Sequence, residues 1–226
     1  MQAIILMGPP GSGKGTAAED LKTATRYEHV STGDMLRAAV KAGTPVGLEA
    51  KAFMERGALV PDDVIVRIVQ ERLQAGGPEA RYMFDGFPRT VRQAELLDDL
   101  FRRIEGRITH VFDLQVPRSV IIERIGSRRV CRQCGHVYNL RGMRPKVENI
   151  CDHCGGEVYQ RPDDNEKTIA NRLDVYERES APLIEYYGRR NLLVHVDAGE
   201  RRPTEHQILK HLGLAQEVKR NVLQFE

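Results

Sequence analysis

The 226-residue sequence contains no tryptophan, only four cysteines and no surplus of charge of either sign, since 34 lysines and arginines are set against 32 aspartates and glutamates. A net charge of +2 argues against a nucleic-acid partner, because polyanion-binding domains carry a clear basic excess. No apolar run approaches the roughly 20 residues that span a bilayer. The start of the chain, MQAIILMGPPGSGKGT, lacks the basic segment of a secretory signal. We therefore expect a cytoplasmic protein with no membrane and no nucleic-acid partner.

Short apolar runs alternate along the chain with segments of helical period. Runs such as Ala3–Met7 and Val111–Leu114 are typical of strands buried on both faces of a parallel sheet. Segments such as Ala17–Thr25, Asp62–Leu73 and Thr168–Tyr187 have the spacing of helices. Strands that alternate with helices predict an α/β fold with a parallel sheet.

Two stretches interrupt this alternation. Residues 31–60 carry short helical patterns broken by glycine and proline, and residues 127–163 hold all four cysteines with little helical period. We interpret both as insertions on one α/β core made of residues 1–30, 61–126 and 164–226. If the second insertion moves, its hinges are expected near Gly126–Ser127 and Pro162–Asp164.

A glycine-rich loop, GPPGSGKGT, runs from Gly8 to Thr16 between the first strand and the first helix. Its glycines let backbone N–H groups turn inward around phosphate oxygens, and the helix that follows directs its positive end at the same place. Lys14 adds a point charge. Gly15 stands where a magnesium-binding hydroxyl is usual, and the hydroxyl follows at Thr16. We therefore expect magnesium to be held mostly through waters and phosphates.

A second candidate phosphate site, DGFPRT, begins at Asp85, directly after the apolar run Tyr82–Phe84. A carboxylate at this strand end can position magnesium and its waters. Arg89 supplies a planar fork suited to phosphate, and Gln93 offers an amide for a base edge. The simpler interpretation is a strand-ending turn with a surface arginine.

The cysteines follow the spacing C-x2-C-x16-C-x2-C at Cys131, Cys134, Cys151 and Cys154. Two such knuckles can deliver four thiolates to a tetrahedral zinc ion that has no open position, which predicts a structural rather than a catalytic metal. An iron–sulfur cluster and a nucleic-acid-binding finger remain alternatives. Disulfides and a redox dithiol are disfavoured by the expected compartment and by the presence of two pairs.

Four motifs, in this order, resemble the nucleoside monophosphate kinases and, within them, adenylate kinases of the long-lid bacterial type: GPPGSGKGT, STGDMLRAAV, DGFPRTVRQ and RRVCRQCGHVY. The resemblance implies a P-loop, three-layer α/β/α fold with a central parallel five-stranded sheet. It also implies that residues 31–60 form a helical insertion that binds the nucleoside monophosphate, and that residues 127–163 form a lid resembling a zinc ribbon.

The resemblance also assigns site residues. The ATP-binding residues it implies are Gly11, Ser12, Gly13, Lys14, Gly15, Thr16, Arg124, Val137 and Tyr138. The AMP-binding residues it implies are Thr32, Arg37, Ala58, Leu59, Val60, Gly86, Phe87, Pro88, Arg89, Gln93, Arg161 and Arg172. The catalytic cations it implies are Lys14, Arg89, Arg128, Arg161 and Arg172. Asp85 is expected to position magnesium. Taken singly, Thr32 would be interpreted as a helix cap and each arginine as a solvated charge.

The reaction implied by the resemblance is ATP + AMP ⇌ 2 ADP with magnesium, carried out by a monomer. No general base is assigned, because the accepting phosphate oxygen is already deprotonated near neutral pH. Arg124 and Arg128 share a helix face if their helix continues past Gly126. The turn Asp197–Arg201 is expected to contact the donor adenine, with no single residue assigned. Alternatives are a kinase with another nucleotide pair, such as GTP with AMP, and a zinc-ribbon ATPase associated with nucleic acid.

Overall fold

The computed structural model describes residues 1–199 and 204–214. In chain order, the strands are β1 (Gln2–Met7), β2 (Glu28–Ser31), β3 (Arg81–Asp85), β4 (Arg107–Gln115), β5 (Arg128–Cys131), β6 (Val137–Asn139), β7 (Val158–Tyr159) and β8 (Leu193–Asp197). The helices are α1 (Lys14–Ala24), α2 (Thr32–Ala42), α3 (Pro45–Glu55), α4 (Asp62–Gln74), α5 (Val91–Arg103), α6 (Arg118–Gly126), α7 (Glu166–Val175), α8 (Pro182–Gly188) and α9 (Thr204–His211).

A five-stranded parallel sheet of order β2-β3-β1-β4-β8 forms the centre of the molecule. Alternate residues of β1 enter two different apolar cores: Ala3 and Ile5 pack on one face, Ile4 and Leu6 on the other. The first core includes α4, α5 and α8, and the second includes α1 and α9. This arrangement confirms the three-layer α/β/α prediction.

The two interrupting stretches form their own small structures. In the first, α2 and α3 pack against each other, with Ser31 and Thr44 as N-caps. In the second, β5, β6 and β7 make an antiparallel sheet of order β6-β5-β7. None of the helices in residues 1–199 and 204–214 combines the length and the apolarity needed to cross a membrane.

The structure differs from two sequence expectations about helices. The segment predicted as one helix over Thr168–Tyr187 begins earlier, at Glu166, and is divided into α7, a π-helical turn over Tyr176–Ser180, and α8, which has Pro182 at its first position. The helix holding Arg124 ends at Gly126, where the Ser127 hydroxyl donates to the Glu123 carbonyl at 2.7 Å. Arg128 is therefore a strand residue, and the shared helix face does not form.

Candidate active site

The glycine-rich loop leaves the carboxyl end of β1 and closes at the start of α1. Gly11 has a φ of +80° and packs so tightly on α6 that a Cβ there would lie 2.6 Å from Ile125 Cγ1. Gly13 has a φ of +95° and is the N-cap of α1, beside the guanidinium of Arg124. Positive φ favours glycine at both positions. The loop thus turns back around the N-terminus of α1, which is the geometry of an anion site.

Lys14 bends back across this loop. Its Nζ donates to the carbonyls of Gly8 (2.8 Å) and Pro9 (2.9 Å) and lies 3.3 Å from Ser12 Oγ. Burial lowers the pKa of Lys14 to about 8, Asp85 opposes the shift, and three arginines add to it. These are Arg89, Arg172 and Arg128. The ammonium group is therefore placed where anions would stabilise its charge.

This pKa predicts a pH dependence. Above about pH 8 Lys14 loses its proton in the free protein, so kcat/KM for the donor nucleotide should fall with a slope of one proton. Bound phosphates raise the pKa of the amine, so the corresponding fall in kcat should occur at higher pH. Steady-state rates measured from pH 6 to 10 check this. Lys14→Arg is the control, because its cation does not titrate in this range; an unchanged alkaline limb in this variant contradicts the assignment.

A pocket lies between the loop after β3, the α2–α3 insertion and α7. Ten of the twelve residues predicted for the acceptor nucleotide line it: Thr32, Arg37, Ala58, Leu59, Val60, Gly86, Arg89, Gln93, Arg161 and Arg172. Leu36, Met54 and Ile65 complete an apolar part that the sequence motifs did not indicate. The pocket therefore combines an apolar wall with four guanidinium groups, as a ligand with a flat base and a phosphate requires.

The remaining two predicted residues do not present side chains to this pocket. Phe87 is 1% exposed and packs in the core against Phe84, with ring centroids 5.9 Å apart. Pro88 is buried beside it. Any contact that these positions make with a ligand would come from their backbone. Arg89 is held toward the pocket by a hydrogen bond from Nε to the Gly86 carbonyl at 2.7 Å.

Two aspartates that sequence reasoning missed hold the arginines at the lid junction. Asp163 accepts from Arg161 Nε at 2.9 Å and pairs with Arg172 Nη1 at 3.1 Å. Asp164, which is 2% exposed, accepts from Arg128 Nε at 2.8 Å. Burial alone would raise the pKa of Asp163, but Arg161 and Arg172 hold it far below its ordinary value. Burial lowers the pKa of Arg172 from its ordinary value, neighbouring guanidinium groups add to the shift, and Asp163 opposes it. In the sequence, the only local indication of these ion pairs is the two adjacent carboxylates that follow Arg161 in RPDDN.

Asp85 lies at the carboxyl end of β3, paired in register with Leu6 of β1, and so beside the phosphate loop. Its Oδ2 is 3.4 Å from His29 Nε2, and His29 Nδ1 is 3.2 Å from Glu19 Oε1. Burial opposes protonation of His29, but the two carboxylates outweigh it and raise the pKa of His29. A half-buried carboxylate next to the loop is a suitable oxygen donor for hydrated magnesium. Thr16, the hydroxyl residue that follows Gly15 at the end of the phosphate loop, is exposed.

Three residues predicted to bind the donor nucleotide outside the phosphate loop lie in different surroundings in the structure. Arg124 lies beside the phosphate loop, and Val137 is partly exposed on β6. Tyr138 is 1% exposed and points into the cysteine cluster, where its Oη is 3.4 Å from Cys151 Sγ. A donor contact from position 138 would therefore have to come from its backbone. In the predicted adenine turn, Asp197–Gly199 is described, whereas residues 200 and 201 lie outside the described residues.

The four cysteine sulfurs lie within 4.8 Å of one another. Two pairs cross between the knuckles, with Cys131 Sγ 3.5 Å from Cys154 Sγ and Cys134 Sγ 3.6 Å from Cys151 Sγ. These separations are far longer than a disulfide bond of about 2.05 Å. They are close to the roughly 3.8 Å edge of a tetrahedron with zinc–sulfur bonds of about 2.3 Å. The set therefore fits a zinc ion.

Electrostatics lead to the same conclusion. Burial would raise the pKa of Cys151, but hydrogen bonds from Tyr138 Oη and from the N–H groups of His153 and Cys154 lower it to about 6. A backbone N–H favours the Cys134 thiolate, but burial and the three neighbouring sulfurs raise its pKa to about 12. Four thiolates cannot ionise together at this spacing without a cation between them, and a metal supplies that charge.

Fold and site define the class of protein: a P-loop phosphotransferase, with a glycine-rich phosphate loop facing a second cationic pocket across the carboxyl end of a parallel sheet. The family model described as adenylate kinase matches residues 6–192. Adenylate kinase of Carboxydothermus hydrogenoformans is 49% identical over 194 residues, covering 86% of this chain and 91% of that protein. Adenylate kinase of Syntrophobacter fumaroxidans is 50% identical over 194 residues, covering 86% and 91%. That of Methanocella arvoryzae is 45% identical over 202 residues, covering 89% and 93%.

The chain belongs to the adenylate kinase family. The resemblance inferred from four motifs is thereby confirmed, and so is the expectation of a phosphotransferase that acts on ATP and AMP and uses magnesium-bound ATP. The zinc prediction is consistent with the sulfur cluster. The family match over residues 6–192 includes both stretches that interrupt the α/β alternation, residues 31–60 and 127–163.

Proposed function

We propose that this chain transfers the terminal phosphoryl group of ATP to AMP between the phosphate loop and the pocket lined by Thr32, Arg37, Arg89 and Gln93. The observation that carries the proposal is the convergence of cations on one place. Four cationic side chains lie near enough to shift one another's pKa. They are Lys14 from α1, Arg89 from the loop after β3, Arg128 from the lid and Arg172 from α7. Such a concentration of positive charge suits two facing polyphosphates.

The five catalytic cations have distinct places in this proposal. Lys14 and the backbone of Gly11–Thr16 bind the donor phosphates. Arg89 binds the acceptor phosphate. Arg128, Arg161 and Arg172 stabilise the charge on the group in transfer, exchanging Asp163 and Asp164 for phosphate oxygens when nucleotides enter. No protein base is needed, because the attacking oxygen belongs to an ionised phosphate.

Magnesium, when bound with ATP, neutralises charge on the donor phosphates, and Asp85 is the residue proposed to hold its waters. The other requirement is the exclusion of water. Arg128 and Arg161 belong to the lid, while Asn171 Nδ2 donates to the Arg56 carbonyl at 2.6 Å and so links α7 to the end of the α2–α3 insertion. Closure of both insertions over the nucleotides would prevent hydrolysis of ATP.

We also propose that the protein acts as a cytoplasmic monomer without a nucleic-acid partner. Both nucleotide sites are formed by one chain, so catalysis needs no second copy. A thiolate cluster requires a reducing compartment. The net charge of +2 lacks the basic excess that polyanion-binding domains carry.

An acceptor screen tests the proposed function. Magnesium and either ATP or GTP as donor are supplied with AMP, CMP, UMP or GMP, and formation of the nucleoside diphosphates is followed together with the metal content of the protein. We expect AMP to exceed the other acceptors in kcat/KM by at least about a hundredfold, with one zinc per chain. A preference for another monophosphate, or a higher kcat/KM with GTP as donor, would overturn the nucleotide assignment.

A further inference from the structure

The amide of Gln93, which the proposed function places against the acceptor base, is held in one orientation by groups that the reaction does not use. Gln93 is 2% exposed and lines the acceptor pocket. Its Oε1 accepts from the backbone N–H of Arg89 at 2.7 Å, and its Nε2 donates to Asp62 Oδ1 at 2.7 Å. Thr90 completes the network: its hydroxyl lies 3.3 Å from Asp62 Oδ2 and accepts from the Gln93 N–H at 3.1 Å.

This network is directional. A backbone N–H can only donate and a carboxylate can only accept. If the amide of Gln93 rotated by half a turn, its NH2 would face the Arg89 N–H and its carbonyl oxygen would face Asp62. Both contacts would then be repulsive inside a buried site, where a misdirected polar group is unfavourable. The amide therefore keeps one free N–H and one free oxygen lone pair in fixed positions.

Fixed positions matter because six-substituted purines differ in hydrogen-bond polarity. Adenine offers a donor at its 6-amino group and an acceptor at N1, which match an amide oxygen and an amide N–H. Hypoxanthine and guanine carry an acceptor at O6 and a donor at N1, so they match the same amide only after it rotates. A glutamine free to rotate would accept both kinds of base.

We infer that Asp62 is a specificity-determining positioning residue: it fixes the amide of Gln93 in the orientation that pairs with a 6-aminopurine and opposes the rotation that a 6-oxopurine requires. The inference rests on the proposed function, because it assumes that Gln93 contacts the acceptor base. It also gives Asp62 a role beyond that of an acidic residue in the first turn of α4.

The test compares AMP with inosine monophosphate as acceptors. The two differ at position 6 and in the proton at N1, and inosine monophosphate lacks the 2-amino group that could clash. Asp62→Asn keeps the shape of the side chain but can also donate, so it permits the rotated amide. We expect the ratio of kcat/KM for AMP to that for inosine monophosphate to fall by about tenfold. The fall should come mainly from the two KM values, with the KM for ATP unchanged.

Asp63→Asn is the matched control, because it removes the same charge from the same turn of α4 at an exposed position. An equal fall in both variants would identify a helix-charge effect and overturn the inference. A purely structural loss in Asp62→Asn would lower both kcat/KM values together and leave their ratio unchanged, which also overturns it. If Asp62→Asn does not fold, Asp62→Ser is measured by the same ratio, with AMP binding followed calorimetrically.

Gln93→Met separates this inference from the proposed function. Loss of selectivity in Gln93→Met but not in Asp62→Asn shows that Gln93 contacts the base without needing Asp62, so only the inference fails. Retained selectivity in both variants shows that Gln93 does not contact the base, so the proposed function fails at this residue and the inference fails with it. Loss in both variants, with Asp63→Asn unchanged, supports the role of Asp62.

Discussion

Replacement of Lys14 by methionine should lower kcat for ADP formation by about 10³-fold. Methionine has a similar length and no charge, so the variant removes the cation at the donor phosphates while it keeps the packing of the stem. The loss should be larger in kcat than in the KM for ATP, because the charge that Lys14 neutralises increases in the transition state. Steady-state rates with saturating AMP, together with a thermal melt of the variant, measure both effects.

Lys22→Met is the matched control for this experiment. Lys22 lies on the same helix, α1, and its exposed side chain pairs with Glu19 at 3.6 Å. An exposed pair of this kind contributes little, so this variant should keep normal activity and stability. If Lys14→Met formed ADP at the normal rate, the phosphate loop would not be the donor site, and the mechanism proposed for this chain would be wrong.

Removal of the metal from the lid should lower stability much more than it lowers the maximal rate. A structural zinc supplies folding free energy directly. A loss of only about 3 kcal/mol, a fraction of that contribution, would lower the melting temperature of a chain of this size by about 6–12 °C. At 25 °C the rate should change by less than about threefold, since the metal has no open coordination position. Calorimetry before and after chelation, with metal analysis, gives the comparison.

A variant with all four cysteines replaced by serine is the control for the chelator. It should melt at the temperature of the chelated protein, and the chelator should have no further effect on it. Tyr138 and Val158, which pack with Cys131 and Cys151 in the lid core, should lose protection from hydrogen exchange in both preparations. Equal melting temperatures with and without metal would show that the lid is held together by its apolar core alone.

The sequence was most informative where the spacing of a few neighbouring residues determines the local structure. The loop GPPGSGKGT lies at the carboxyl end of β1 as its glycines and Lys14 predicted, and the cysteine spacing correctly predicted one compact sulfur cluster. It was less informative for β2, which we did not identify. That strand is four residues long, lies at the edge of the sheet, and has only Val30 buried, so it lacks the apolar run that marks the central strands.

Side-chain direction was not predictable in the same way. Tyr138 and Phe87 belong to motifs that resemble nucleotide-binding segments, yet their side chains point into the lid and the core. Asp62 is locally an acidic residue in the first turn of α4, whereas the structure brings it 2.7 Å from Gln93, which is 31 residues away in the chain. Such contacts depend on how helices and strands pack against one another, and no local sequence pattern predicts that packing.

The sequence by itself determined the chemical inventory: one phosphate loop, one set of four thiols, and enough arginines to balance two polyphosphates. Those features follow from short-range spacing, which is fixed by covalent geometry and by the periods of helices and strands. Only the tertiary structure decided which charges meet. Asp163 and Asp164 pair with three arginines, and Asp62 fixes Gln93, because the sheet and the two insertions bring distant segments within hydrogen-bond distance.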